Sequence, residues 1–102
     1  ISFRLPYNMT LNAGSAGITG SLVTAGTGAA LLTVDINESG STILSTKLTF
    51  DATETTTTTS TTPVVISDLA LAADSIITID VDTLDTGGVA AGLKISLIGS
   101  VT

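Results

Sequence analysis

The strongest constraint on this chain is a two-residue alternation of apolar side chains in short runs. Leu32, Val34 and Ile36 alternate with Thr33 and Asp35. After a break, Leu44, Thr46, Leu48 and Phe50 share one phase, against Lys47 and Thr49. Successive side chains of a strand point to opposite faces, so each run predicts a strand with one apolar face. Between the runs, Asn37 and Ser39 are turn formers, and Gly40 supplies backbone freedom for a reversal. Residues 30–50 therefore read as a β-hairpin.

The same grammar runs through the rest of the chain. Ile1, Phe3, Leu5, Tyr7, Met9 and Leu11 hold one phase, which predicts one long strand or two, with a single buried face. Pro6 lacks an amide donor and places this strand at an edge or bends it. Residues 12–17 form a turn, Ile18, Gly20 and Leu22 resume the alternation, and residues 24–28 are a Gly-rich loop. Residues 55–62 are Thr throughout except Ser60, and high strand propensity predicts a solvent-exposed strand there. Val64, Val65 and Ile66 are a short buried run after Pro63, and residues 67–74 read as one helical turn or an irregular crossover. The cleanest strand places Ile77, Ile79 and Val81 opposite Thr78, Asp80 and Asp82. Leu93, Ile95 and Leu97 mark the last strand, which can run on through Val101. The pattern predicts about seven or eight strands in an all-β, antiparallel β-sandwich of jelly-roll or immunoglobulin-like type. Without helices for crossovers, a parallel sheet is disfavoured.

A chain of 102 residues suits one domain, 1–102, and a first residue other than Met fits a piece of a longer chain. Aromatic residues are confined to Phe3, Phe50 and Tyr7, so Ile, Leu, Val and Ala must build a core that self-association would help to stabilise. Nine acids against three bases leave a net charge of −6, which disfavours nucleic-acid backbones and anionic membranes. No apolar run has the length of a transmembrane helix. Cysteine and histidine are both absent. Disulfides, Ser-His-Asp or Cys-His catalysis, and zinc sites built on those ligands are therefore excluded.

Three constellations remain. Asp85-Thr86-Gly87 after Leu84 matches the active-site triplet of retroviral-type aspartic proteases, but only fifteen residues follow it and the flap region has no place. Its simpler reading is a bend made by Gly87 and Gly88. Asp35, Asn37, Ser39 and Gly40 follow the opening of a calcium loop, yet the closing acid is replaced by Thr46 and the flanks are strands. A hairpin turn accounts for the same residues. Asp80 and Asp82 share a strand face roughly 7 Å apart, with Asp85 nearby in sequence. They are weak candidates for calcium or for a carboxylate pair on a sugar, and acids on an exposed strand also keep it soluble and unpaired. No set is complete, so no catalytic, cofactor or metal site is expected. Gly26-Thr27-Gly28 lacks the Lys and helix of a phosphate loop. Asn8-Met9-Thr10 and Asn37-Glu38-Ser39 fit the glycosylation pattern, which matters only in a eukaryotic secretory route. Tyr7 is the sole platform for sugar stacking, and its phase is that of the core.

Three segments carry a resemblance. They are Phe-Arg-Leu-Pro-Tyr-Asn-Met-Thr-Leu at residues 3–11, Leu-Leu-Thr-Val-Asp-Ile-Asn-Glu-Ser-Gly-Ser-Thr-Ile-Leu-Ser-Thr-Lys-Leu-Thr-Phe-Asp at residues 31–51, and Ile-Thr-Ile-Asp-Val-Asp at residues 77–82 with Gly-Leu-Lys-Ile-Ser-Leu-Ile-Gly at residues 92–99. Together they resemble a β-rich module of virion proteins of tailed bacteriophages, especially aquatic ones, and of related gene-transfer particles. The resemblance implies a non-enzymatic structural protein on the exterior of the virion, as capsid decoration or cement, head fibre or tail fibre. It implies a homo-oligomer, with three copies as in phage fibres and decorations, docked on other virion proteins such as the major capsid or tail proteins. The alternative is a host-recognition module for a cell-surface glycan, with Asp80, Asp82 and calcium at a shallow site. The remote alternative is the aspartic protease centred on Asp85.

Overall fold

The computed structural model describes residues 1–102 and is all-β, with every ladder antiparallel. The strands are β1 (Ser2–Arg4), β2 (Met9–Leu11), β3 (Ile18–Ser21), β4 (Leu32–Glu38), β5 (Ser41–Thr42), β6 (Leu44–Thr46), β7 (Leu48–Phe50), β8 (Val65–Ile66), β9 (Ala70–Leu71), β10 (Ile76–Thr83), β11 (Lys94–Leu97) and β12 (Gly99–Val101). The main sheet runs β1-β10-β4-β5, with β7 also paired to β4 beside β5. The other strands form three smaller ladders, β12-β2-β9, β11-β3 and β6-β8. The only helical element is a 3-10 turn at Gly14–Ala16, inside the expected turn.

The central hairpin forms as its alternation requires. Leu32, Val34 and Ile36 are buried on β4, and Glu38 pairs with Ser41 across a two-residue loop. Ser39 and Gly40 in that loop both have positive φ, 48° and 88°. That turn matches the right-handed twist of its strands. Asn37 lies in β4 rather than in the turn. The returning strand breaks into three. Its first part pairs Asn37 with Thr42, whereas β7 pairs Val34 with Leu48, a slip of three residues. Within that slip β6 leaves the main sheet to pair with β8. Both Ile43 and Leu44 are thereby buried, which simple alternation forbids.

Twelve short strands thus replace the expected seven or eight, because several single-phase runs change partner midway. The N-terminal run breaks at Pro6: β1 joins β10, while β2 joins β9 and β12. Of its six in-phase residues only Leu5 and Leu11 are buried; Ile1, Phe3 and Tyr7 are exposed and Met9 is half-buried. A sheet edge does not bury both ends of a long strand. The C-terminal run likewise passes from β3 to β2 at Ile98, whose amide donates to Gly17 O while its carbonyl accepts from Asn12 N. On β10 the clean alternation is retained, with Ile77 fully buried, but Val81 emerges into solvent.

Residues 55–62 are not a strand. One isolated bridge joins Thr56 to Ser21, and the remainder is turn. The hydroxyls compete with a ladder by bonding local backbone: Thr58 N donates to Thr56 Oγ1 and Thr62 N to Ser60 Oγ. Thr57 is buried, and its Oγ1 accepts from Gly20 N at 2.9 Å.

One cluster of 14 buried apolar residues forms the core, and Phe50 is its only aromatic. Gly20 leaves room for that ring: a Cβ there would lie 2.8 Å from Phe50 Cζ and 3.2 Å from Thr57 Cγ2. Gly20→Ala is therefore expected to destabilise by about 1–3 kcal/mol through overpacking. Urea unfolding would measure this; an unchanged midpoint would mean that the ring has space to move.

Candidate functional site

The outer face of the main sheet gathers the polar residues of the hairpin and of β10. Asp35 is the register partner of Asp80, and Asn37 of Thr78, so two sequence-distant candidate sets meet on one face. Like charges placed directly opposite destabilise a ladder, and local partners offset the cost here. Asp35 Oδ1 accepts from its neighbour Ile36 N and from Thr42 Oγ1. Asn37 Nδ2 donates to Asp80 Oδ2 at 2.9 Å. Lys47 enters beside Asp35 because β7 begins opposite Val34, and it forms an ion pair with Asp82. The bond to Asp82, opposed by partial burial and helped by the charges of Asp82 and Asp35, holds the ammonium above its ordinary pKa. No three acidic side chains on this face converge as a metal-binding group.

Asp85, expected beside Asp80 and Asp82, is placed elsewhere. It sits in the loop after β10, is only 5% exposed, and turns inward. Its carboxylate accepts from Val89 N at 3.0 Å and from Thr27 N and Ala90 N at 3.3 Å. Burial pushes its pKa up, but the amides of Val89, Thr27, Ala90 and Asp85 itself outweigh this and hold it below the ordinary value. Thr86 extends the join: its Oγ1 accepts from Ala30 N and its carbonyl from Thr27 Oγ1. Gly26 and Gly28 permit this close approach, since a Cβ on Gly26 would meet Asp85 Cβ at 2.8 Å and one on Gly28 would meet Thr86 Cβ at 2.3 Å. Gly87 and Gly88 both adopt positive φ, making the bend. The triplet thus ties the loop at residues 84–91 to the loop at residues 24–31.

Two further acids do similar work that no local motif announced. Glu38 Oε2 accepts from Ala72 N at 2.7 Å and from Ser75 Oγ at 3.0 Å. Asp51 accepts from both the amide and the hydroxyl of Thr61. Their partners lie ten or more residues away, beyond the reach of a sequence motif.

The surface has one crevice, about 170 Å³ including the solvent above it, between Gly26, Leu31, Phe50, Asp51 and Asp85. It encloses no space the size of a water molecule. Asp35, Asn37, Asp80 and Asp82 are engaged with one another, with Lys47 and with the backbone, so EDTA is expected to leave the thermal midpoint unchanged. A fall of more than a few degrees would reassign these side chains as ligands. Comparison of the chain with family models, curated proteins and solved structures returns no match.

Proposed function

We propose that the chain is a structural module on the exterior of a bacteriophage virion, as capsid decoration, head fibre or tail fibre, that self-associates and docks on capsid or tail proteins. In this reading the three small ladders form the second layer of a jelly-roll-like sandwich over the main sheet. The observation that carries it is the division of labour among side chains. Asp35, Glu38, Asp51 and Asp85 are engaged with the chain's own backbone. Meanwhile eleven large apolar residues remain at least 41% exposed. A surface of pinned loops and exposed apolar side chains docks at low desolvation cost. A carboxylate bonded as Asp85 is lacks the raised pKa by which a shared-proton dyad works. Three-dimensional reconstruction of the assembled particle tests the proposal. Density for this domain at a repeated exterior position is expected; its absence from purified particles overturns it.

One observation favours the glycan-binding alternative. Tyr7 is 47% exposed rather than in the core, so a stacking platform exists beside Asn8. Binding to a glycan array, lost in Tyr7→Ala, would select that reading.

A further inference from the structure

The two edges of the main sheet differ. On the β5/β7 side the ladder is interrupted by the three-residue slip, and the chain turns away as β6. A break of this kind blunts an edge against pairing. The β1 side is open. β1 pairs with β10 alone, and residues 1–5 stay extended along it, from Ile79 N donating to Ile1 O through to Leu5 N donating to Ser75 O.

The parity of those bonds decides what the open edge offers. Ile1, Phe3 and Leu5 direct their backbone groups toward β10. Ser2 and Arg4 therefore direct their N–H and C=O groups outward. Phe3 is opposite the fully buried Ile77, so its ring lies on the core side of the sheet, yet it is 41% exposed because no strand flanks it. Ile1 shares that face and is more exposed still.

We propose that β1 is a docking edge for a second copy of this chain, paired antiparallel about a two-fold axis through Phe3. In that register Ser2 of each copy faces Arg4 of the other, and the outward groups of both exchange hydrogen bonds. The two Phe3 residues then form the closer, non-hydrogen-bonded pair on the core side, and each Ile1 covers the other copy's Leu5 position. The charges permit it. In a chain of net charge −6, residues 1–5 carry no acidic side chain and hold one of the three cations, Arg4. Arg4 bonds Asp74 of its own chain, which draws its side chain away from the two-fold axis. The contact does not rest on the virion reading, and its two-fold symmetry makes it separate from a three-fold association.

A single cysteine tests the contact, because the chain has none of its own. Cross-strand Cα atoms in a non-hydrogen-bonded pair lie about 4.5 Å apart, within the range of a disulfide. Oxidised Phe3→Cys is expected to form a covalent dimer in several-fold excess over Val23→Cys, a control at a site 76% exposed. Ser2→Pro supplies the second variant. It removes an outward amide and leaves the bonds to β10 intact, so it should lower the dimer fraction in sedimentation while leaving unchanged the thermal midpoint of the monomer, read at a concentration too low for pairing. Phe3→Cys dimers no more abundant than the control, or sedimentation indifferent to Ser2→Pro, overturns the proposal. A trimer that forms without the Phe3→Cys disulfide overturns it too, while leaving the virion reading intact.

Discussion

Phe50→Ala is expected to cost about 3–5 kcal/mol, the range for removing a buried aromatic ring. Domains of this size have total stabilities of about 5–15 kcal/mol, so the loss removes from about a fifth to all of the stability of the fold. The ring is 2% exposed, it is the register partner of Leu32, and Gly20 leaves it space from the β3 side. No second aromatic is near enough in type to replace it, because Phe3 and Tyr7 are on the surface. Urea denaturation checks the value, with Phe3→Ala as a comparison that should cost much less in the monomer. A loss below about 1.5 kcal/mol for Phe50→Ala would mean that the aliphatic residues collapse into the space, and that the core is less tightly specified than its burial implies.

The second large effect concerns acid. Asp85 is held below its ordinary pKa in the folded chain. A carboxyl with a depressed folded pKa contributes stability that is fully present above its unfolded value, about 3.9. That contribution is lost as pH falls through the lower, folded value. Stability is therefore expected to fall below about pH 4, with Asp85 contributing up to one proton taken up on unfolding. Asp85→Asn should be less stable at neutral pH, since an amide cannot accept all three backbone N–H groups. Its acid dependence should also be shallower by that proton. The measurement is the urea midpoint of both proteins across the acid range. Parallel curves would show that Asp85 does not titrate with folding. Proteolysis should meanwhile cut the loops at residues 24–31 and 84–91 faster in the variant, because the bonds from Thr86 and the Thr24–Ala91 bridge then hold them without the full set of carboxylate bonds.

Lys47 works in the opposite sense. Its folded pKa is raised, so its small contribution is present below the unfolded value and disappears at alkaline pH as the folded value is passed. Both partners of this ion pair are substantially exposed, and solvent screening keeps the effect minor.

Local chemistry alone determined the strand class, the hairpin at Ser39 and Gly40, and the buried faces of β4 and of the first half of β10. Alternation and turn propensity act over a few residues, and nothing downstream reverses them. It also determined that no histidine or cysteine chemistry is possible. Tertiary structure decided the rest. Whether an in-phase residue is buried depends on whether another strand covers it: Leu5 and Phe3 have the same phase, but only Leu5 lies under the core cluster. The eight-residue Thr/Ser tract became turns because its hydroxyls found backbone groups nearby and its amides found Asp51 and β3. The acids were separated by the fold. Asp80 and Asp82 joined Asp35 across a ladder that only pairing creates, whereas Asp85, three residues beyond Asp82, turned inward to three amides. A carboxylate's role is set by the donors and charges within a few ångströms of it, and sequence spacing cannot supply those once the chain has doubled back.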